Sequence, residues 1–531
     1  MLTLEQMTPE QKLGRVLCLR NFTTEDDIEF ALEMAKSGAL GAVQVPFNGH
    51  SYDPEFVKKF RNAADYPLIL INDMELGFPP SAIEPYNFPE ISMINLAATG
   101  NEEHIRSFAA ITAKFAKEAG FSGCWGPIVD ILHVNGPCRV SRTASDTMEG
   151  TLDFAREIMK VFASYQFHGT AKHFPGGQNG MLDTHMVEDN SKLTKEELLA
   201  CDLVPYTSLM KEGLLPAIMV GHQTMDSIDP EYPSSMSKKV IGIIREAGFD
   251  GAIYTDSFAM KAILQTFGEK TAYVKAIGAG VDLILVNIDT PNREVYGMML
   301  EAYKEGLISD ERLDDAVRHV MALEQYCAKR AEAPYPVPEN PREALLNIAR
   351  DSITAECDDG VSPALENPEK KRLFVVTTMQ AFDDNSTPQE ISLNYLYNPF
   401  TVIDAIKDNF PNADVELIKE YPTGGENNKI LTAATRYDEV VFVSFCATSS
   451  YYGTDCMTRR LEALINALII PGKVKTLVHF GNPMAIEPLR HVGRKIFAYN
   501  TPAATRFAFE VLAGKCPAKG KIPYERLYKK N

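Results

Sequence analysis

The chain has 531 residues, more than one ordinary core would use, and its 45% hydrophobic and 23% charged residues are ordinary for a soluble globular protein. A formal net charge of -18 at pH 7 argues against nucleic acid and anionic membrane as partners, since both are polyanions. Nine cysteines, at positions 18, 124, 138, 201, 327, 357, 446, 456 and 516, form no CxxC pair and are odd in number, which suits a reduced compartment better than a disulfide framework.

The first residues, MLTLEQMTPEQKLG, are polar and helix-like. They contain no basic segment followed by an apolar core, so the expectation is no signal peptide and a cytoplasmic location. No apolar run approaches the ~20 residues of a membrane span. From there to about residue 325, short apolar runs alternate with amphipathic stretches. The runs are ALGAVQVP (39–46), PLILIND (67–73), SGCWGPIVD (122–130), GTAKHF (169–174), PAIMVGH (216–222), GAIYTD (251–256) and VDLILVN (281–287). Between them lie helix-like segments such as NEEHIRSFAAITAKFAKEAG and SKKVIGIIREAG, the latter ending on Gly248 at a C′ position. Repetition of this kind predicts a parallel α/β fold, and the number of units favours a TIM-type (β/α)8 barrel, with some irregularity allowed.

Nearly every run closes on a polar residue: Asp73, Asp130, Lys172 with His173, His222, Asp256 and Asn287. A barrel gathers such ends at one face, whereas a doubly wound sheet spreads them along an edge. No GxGxxG follows the first run, which excludes a dinucleotide fingerprint there. Residues 331–345 are rich in proline and charge and read as a linker between a domain at 1–330 and a second at 346–531. The second domain carries KRLFVVTT, DVELIK, EVVFVSFCA, KTLVHFGNP and KIFAYNTP between helical stretches, the pattern of a smaller α/β open sheet.

The stretch 169–185, GTAKHFPGGQNGMLDTH, ties Lys172 and His173 to Asp183 and His185 through one glycine-rich turn. An Asp that orients a His is a general acid/base device around neutral pH; a solvated loop with an incidental pair reads equally well. Lys172 and His173 are neighbours in a strand and reach one ligand only if the strand breaks, which Pro175 allows; otherwise one is exposed and one is core. Asp256 is a carboxylate at a strand end, able to attack an anomeric carbon or to cap the next helix. Arg142 offers a planar fork of donors for hydroxyls or carboxylate, and Asp73 can accept from two sugar hydroxyls; surface and capping roles compete with both. His222 lines the site or satisfies its own strand end. Trp125, the one tryptophan, is a stacking platform or core, and YYGTD at 451–455 is a solvated loop or reaches toward the barrel. His173 and His185 lie 12 apart without an HExxH helix, so no metal centre is expected, and no cofactor.

AKHFPG…DTH, GPIVDI and DPEYPSSMSKKVIGIIREAGFDGAIYTDSFAM together resemble the family-3 glycoside hydrolases, most of all their bacterial β-N-acetylglucosaminidase branch. The resemblance covers most of the first domain and reaches the tail, AYNTPAA…VLAG…GKIPY. It implies a retaining mechanism with Asp256, followed by Met260, as nucleophile. It implies His185 as acid/base, oriented by Asp183, and sugar binding by Lys172, His173, Arg142 and Asp73. The sequence departs from the branch at Gly177-Gln178-Asn179-Gly180, where H-G-D-T is usual, and at Glu75-Leu76-Gly77-Phe78, where E-G-G-R is usual. The expectation is an exo-acting hydrolase releasing terminal β-linked N-acetylglucosamine or a related hexose. The alternatives are a phosphorolytic variant, a β-glucosidase-like enzyme, and a non-catalytic sugar-binding protein. The expected partner is a carbohydrate, with no nucleic acid and no membrane, and a homodimer is compatible with this reading.

Overall fold

The computed structural model describes residues 2–48, 51–78, 87–136, 139–177, 183, 185–367, 370–378, 397–446 and 456–528. The chain divides into two compact units. The first comprises Met1–Tyr86, Ile105–Val134 and Thr147–Glu339; the second comprises Asn87–His104, Asn135–Asp146 and Asn340–Asn531.

The first unit is the expected barrel. Its strands are β1 (Leu17–Leu19), β2 (Ala42–Gln44), β3 (Ile69–Asp73), β4 (Gly123–Ile128), β5 (His168–Phe174), β6 (Ala217–Val220), β7 (Ala252–Thr255) and β8 (Ile284–Leu285). They form one 8-stranded parallel sheet in which sequence neighbours pair and β8 returns to β1. A parallel bridge between Tyr254 and Leu283 completes the circuit. The strands read as unbroken apolar runs because barrel strands are covered on both faces. Trp125, 1% exposed, lies in this core and meets Tyr254 edge to face at 6.3 Å, so it packs the barrel. The sequence reading finds seven of these strands and omits β1.

Helices pack outside, each started by local chemistry. Thr147 caps Met148–Ser164 by accepting from the Gly150 N–H, and Phe154, Ile158, Val161 and Phe162 form its buried stripe. Ser237 does the same for Lys238–Glu246, and Gly248, at φ +96°, follows the helix end where a left-handed residue lets the chain turn back to β7. Among the described residues, no helix is long and apolar enough to cross a membrane.

The second unit is an open six-stranded sheet. Its strands are β9 (Thr354–Cys357), β10 (Arg372–Thr378), β11 (Asp414–Lys419), β12 (Glu439–Cys446), β13 (Val474–Gly481) and β14 (Arg494–Tyr499). Their order is β9-β14-β13-β12-β10-β11; all pairs are parallel except β9–β14, an antiparallel edge. Two findings depart from the sequence reading. Helix Pro341–Asp351 begins inside the 331–345 segment read as linker: Asn340 caps it, and Pro341 occupies its first turn, where a missing N–H costs nothing. Segments 87–104 and 135–146, assigned by sequence to the barrel domain, belong to the second unit. Asn95 donates to Ser352 Oγ at 2.8 Å and Ala498 O at 3.0 Å, and the buried Asp146 carboxylate accepts from the N–H groups of Glu525, Arg526 and Leu527 at 2.9, 2.6 and 2.8 Å.

Candidate active site

The C-terminal ends of β3, β5 and β7, with the segments after β4 and β6, bring the polar run-ends together. Lys172, on β5, donates from Nζ to Asp73 Oδ1 at 2.5 Å and lies 2.6 Å from Glu75 Oε1. The lysine is 2% exposed, which its two carboxylate partners make tolerable, while the Asp73 side chain is 51% exposed and open to a ligand. Glu75 is a member of this site that the strand-end rule passes over, because it lies beyond the end of β3. Its signal was its place two residues after Asp73.

His173 sits where the β5–β6 register shifts between Lys172 and Phe174. That irregularity suspends strand alternation, so Lys172 and His173 both contact carboxylates of neighbouring strand ends. The Lys172–His173 and Phe174–Pro175 peptides are cis. Asp130 accepts from His173 twice, from the backbone N–H at 3.0 Å and from Nδ1 at 2.7 Å. This fixes the proton on Nδ1 and turns Nε2 toward Asp256 Oδ2, 3.8 Å away.

Asp256 follows β7, its N–H donating to Val220 O at 2.8 Å. Its Oδ1 accepts from the Ser257 N–H at 2.7 Å. The next helix, Lys261–Phe267, begins five residues on with Met260 at its N-cap position, so Asp256 is no helix cap. Burial alone would raise the Asp256 carboxyl. The positive charges of His173 and His222 in the acid range, the Ser257 N–H and Lys172 outweigh it and hold the group at about 2. The result is a carboxylate ionised at neutral pH, with its side chain 22% exposed.

His222, just past β6, donates from Nε2 to Ser257 O at 3.1 Å and accepts at Nδ1 from Ser235 Oγ at 2.7 Å. Burial depresses its pKa; Asp256 opposes that shift, and the charges of His173 and His185 add to it. A neutral imidazole therefore supports the backbone beside Asp256, and it feels both the carboxylate and the dyad histidine. Arg20, immediately after β1, donates to Ser257 Oγ; burial lowers its pKa, and Cys18, Asp73 and Asp256 oppose that shift. The sequence reading lacks Arg20 because it lacks β1; the run VLCLR does end on a polar residue, like six of the seven runs it reads.

His185 contacts Asp183 through both its backbone N–H, at 3.0 Å, and its Nδ1, at 2.8 Å, on the same Oδ1. Asp183 is buried and the His185 side chain 23% exposed. The proton on Nδ1 leaves Nε2 as the exchanging nitrogen. Arg142 lies in the second unit, in a turn where its N–H donates to Arg139 O at 3.0 Å. Gln178, Asn179, Gly180, Thr184 and the 451–455 segment lie outside the described residues. Among the described residues, two groups bring potential metal ligands within 4.8 Å: His133 with Cys201 and Asp202, and Asp282 with Asp315 and His319. In each the central carboxylate already accepts hydrogen bonds from protein donors.

An ionised carboxylate near a half-exposed aspartate, together with an Asp-oriented imidazole whose charge reaches the neighbouring His222, can combine nucleophilic attack with proton transfer. Among curated proteins, a beta-N-acetylglucosaminidase/beta-glucosidase of Cellulomonas fimi is 26% identical over 336 residues, covering 60% of this chain and 58% of its own length. The chain thus spans less than two thirds of that relative. A beta-hexosaminidase of Haemophilus influenzae (strain PittEE) is 25% identical over 249 residues, covering 44% of this chain and 67% of its own. The fold is shared with a glycoside hydrolase family 3 beta-N-acetylglucosaminidase from Paenibacillus sp. str. FPU-7, with a TM-score of 0.79 at 24% identity over 99% of this chain and 100% of the other. It is shared too with a beta-glucoside phosphorylase bound to 2FGlc, with a TM-score of 0.79 at 22% identity over 98% and 95%. Residues 51–323, which carry the strand ends from β3 to β8 and just over half of the sequence, match the Glycosyl hydrolase family 3 N terminal domain, and the chain belongs to that family.

Proposed function

We propose that the protein is a retaining, exo-acting glycoside hydrolase that releases terminal β-linked N-acetylglucosamine. Asp256 attacks the anomeric carbon while His185 protonates the departing oxygen, which yields a glycosyl ester on Asp256. His185, now neutral, takes a proton from water, and the water oxygen displaces Asp256 with net retention. Asp183 keeps the imidazole in one tautomer through both halves. Asp73, Lys172 and His173 bind the sugar, and His222 steadies the Ser257 backbone. A cytoplasmic location and cell-wall fragments as substrate complete the proposal.

The observation that carries this reading is the Asp256 carboxylate, held near pKa 2 beside His173 in a barrel that also holds the hydrogen-bonded Asp183–His185 dyad. The relatives named beta-N-acetylglucosaminidase/beta-glucosidase and beta-hexosaminidase support the sugar. Phosphorolysis is the second reading. A neutral imidazole spares an incoming phosphate the repulsion that a carboxylate acid/base would impose, and one fold relative is a beta-glucoside phosphorylase. A panel of aryl β-glycosides, assayed with and without phosphate and read for both rate and product, tests the proposal. Free N-acetylglucosamine formed at a phosphate-independent rate is expected. A sugar 1-phosphate would establish the second reading, and tight binding without turnover of any glycoside would exclude both.

A further inference from the structure

The turn that leaves β5 is fastened to the barrel from outside the site. Gly176 and Gly177 adopt φ of +78° and +68°, and both are packed. A Cβ on Gly176 would lie 3.0 Å from Asp202 Cβ, and one on Gly177 would lie 2.8 Å from Leu198 Cδ2. The Gly177 N–H donates to Asp202 Oδ1 at 2.7 Å. His133, from the segment after β4, donates from Nε2 to the same oxygen, also at 2.7 Å. Asp202 is 2% exposed, and among the described residues its Oδ2 has no hydrogen-bond partner. A buried carboxylate is retained at a cost only where its hydrogen bonds matter. Here they clamp the chain between two groups of the site: His173, whose carbonyl accepts from the Gly176 N–H at 2.8 Å, and Asp183, six residues beyond Gly177.

We propose that Asp202, held by His133, is a positioning residue that pins Gly177 at the end of the turn after β5 and thereby sets where His185, eight residues on in the sequence, stands over the leaving oxygen. The inference rests on the proposed acid/base role of His185. It requires that loss of the clamp misplace the proton donor while leaving Asp256 and its partners in place.

The test compares Asp202→Ala, Asp202→Asn and His133→Ala with the parent chain and with His185→Ala. The Asn variant keeps an Oδ1 acceptor for both donors. Backbone amide exchange at Gly177 is the first readout: it should rise in Asp202→Ala, rise less in His133→Ala, and stay near the parent in Asp202→Asn. Turnover is the second: Asp202→Ala should lose about 10- to 100-fold in kcat/KM with poor leaving groups and little with an activated aryl glycoside, with Asn recovering most of the loss. Unchanged Gly177 exchange in Asp202→Ala overturns the clamp whatever His185 does. Raised exchange with an equal loss on all leaving groups overturns the positioning role. If His185→Ala itself shows no leaving-group dependence, the acid assignment fails, and a raised Gly177 exchange then still supports the clamp.

Discussion

At the N-terminal ends of the barrel strands, buried charge is closed upon itself. Arg15 and Glu324, 1% and 0% exposed, pair with each other, and both Asp282 oxygens are occupied by Arg245, Arg312, His319 and the Ile253 N–H. At the C-terminal ends the same barrel holds Asp73, Lys172, His173 and Asp256, yet Asp73 is half exposed and Asp256 Oδ2 stops 3.8 Å from His173. One end keeps its paired charges buried; the other leaves the Asp73 carboxylate half exposed and Asp256 Oδ2 beyond hydrogen-bond distance of His173. That is the division of labour expected of the fold, with stability at the bottom face and chemistry at the top.

Replacing one residue at each end separates the two. Asp256→Asn should remove turnover by roughly 10,000-fold or more, because no other group in the site is proposed to form the glycosyl ester. Chromatography and circular dichroism should show a folded protein; a variant that keeps substantial turnover would return Asp256 to a structural role. Arg15→Met should do the reverse. It removes the partner of Glu324, whose carboxyl burial raises against the pull of Arg15. Breaking a buried pair of this kind costs about 3–5 kcal/mol, read by urea denaturation, and most of that should return in Arg15→Met/Glu324→Leu. The kcat/KM of the folded fraction should not move.

His185→Ala should fall between these. We expect losses of about 100- to 1,000-fold with alkyl or sugar aglycones and under about tenfold with dinitrophenyl glycosides, since a good leaving group departs without a proton. Equal losses on both would contradict the acid role. The smallest effect is on stability at the mouth. The Asp256 pKa, about 2 against an ordinary 3.8, is depressed by folding, so its ionised form contributes stability that is complete above pH 4 and disappears as pH falls through 2. Asp256→Asn should therefore cost up to about 2 kcal/mol at neutral pH and less as the solution is acidified. A cost independent of pH would mean that the lost interaction is not one of charge.

The contrast also explains what the sequence could show. Asp73, Lys172, His173, His222 and Asp256 are visible because each closes an apolar run, and the period of a barrel strand is local information. Arg20 and Glu75 are not: the first follows a strand that the sequence reading omits, and the second acts through Lys172, nearly a hundred residues away. Segments 87–104 and 135–146 fail for the same reason. Their place in the second unit is fixed by contacts such as Asp146 with residues 525–527, which leave no periodic trace. The Asp202 clamp is of this kind too, a hydrogen bond across 25 residues to a glycine that sequence reads only as a turn.

The direct measurement is covalent trapping. The chain is incubated with the fluorinated glycosyl fluoride of whichever sugar the aryl-glycoside panel selects, then digested, and the labelled residue is located by tandem mass spectrometry. One sugar bonded to Asp256 is the predicted result. A sugar on any other side chain, in a protein inactivated in step with labelling, would contradict the assignment of the nucleophile.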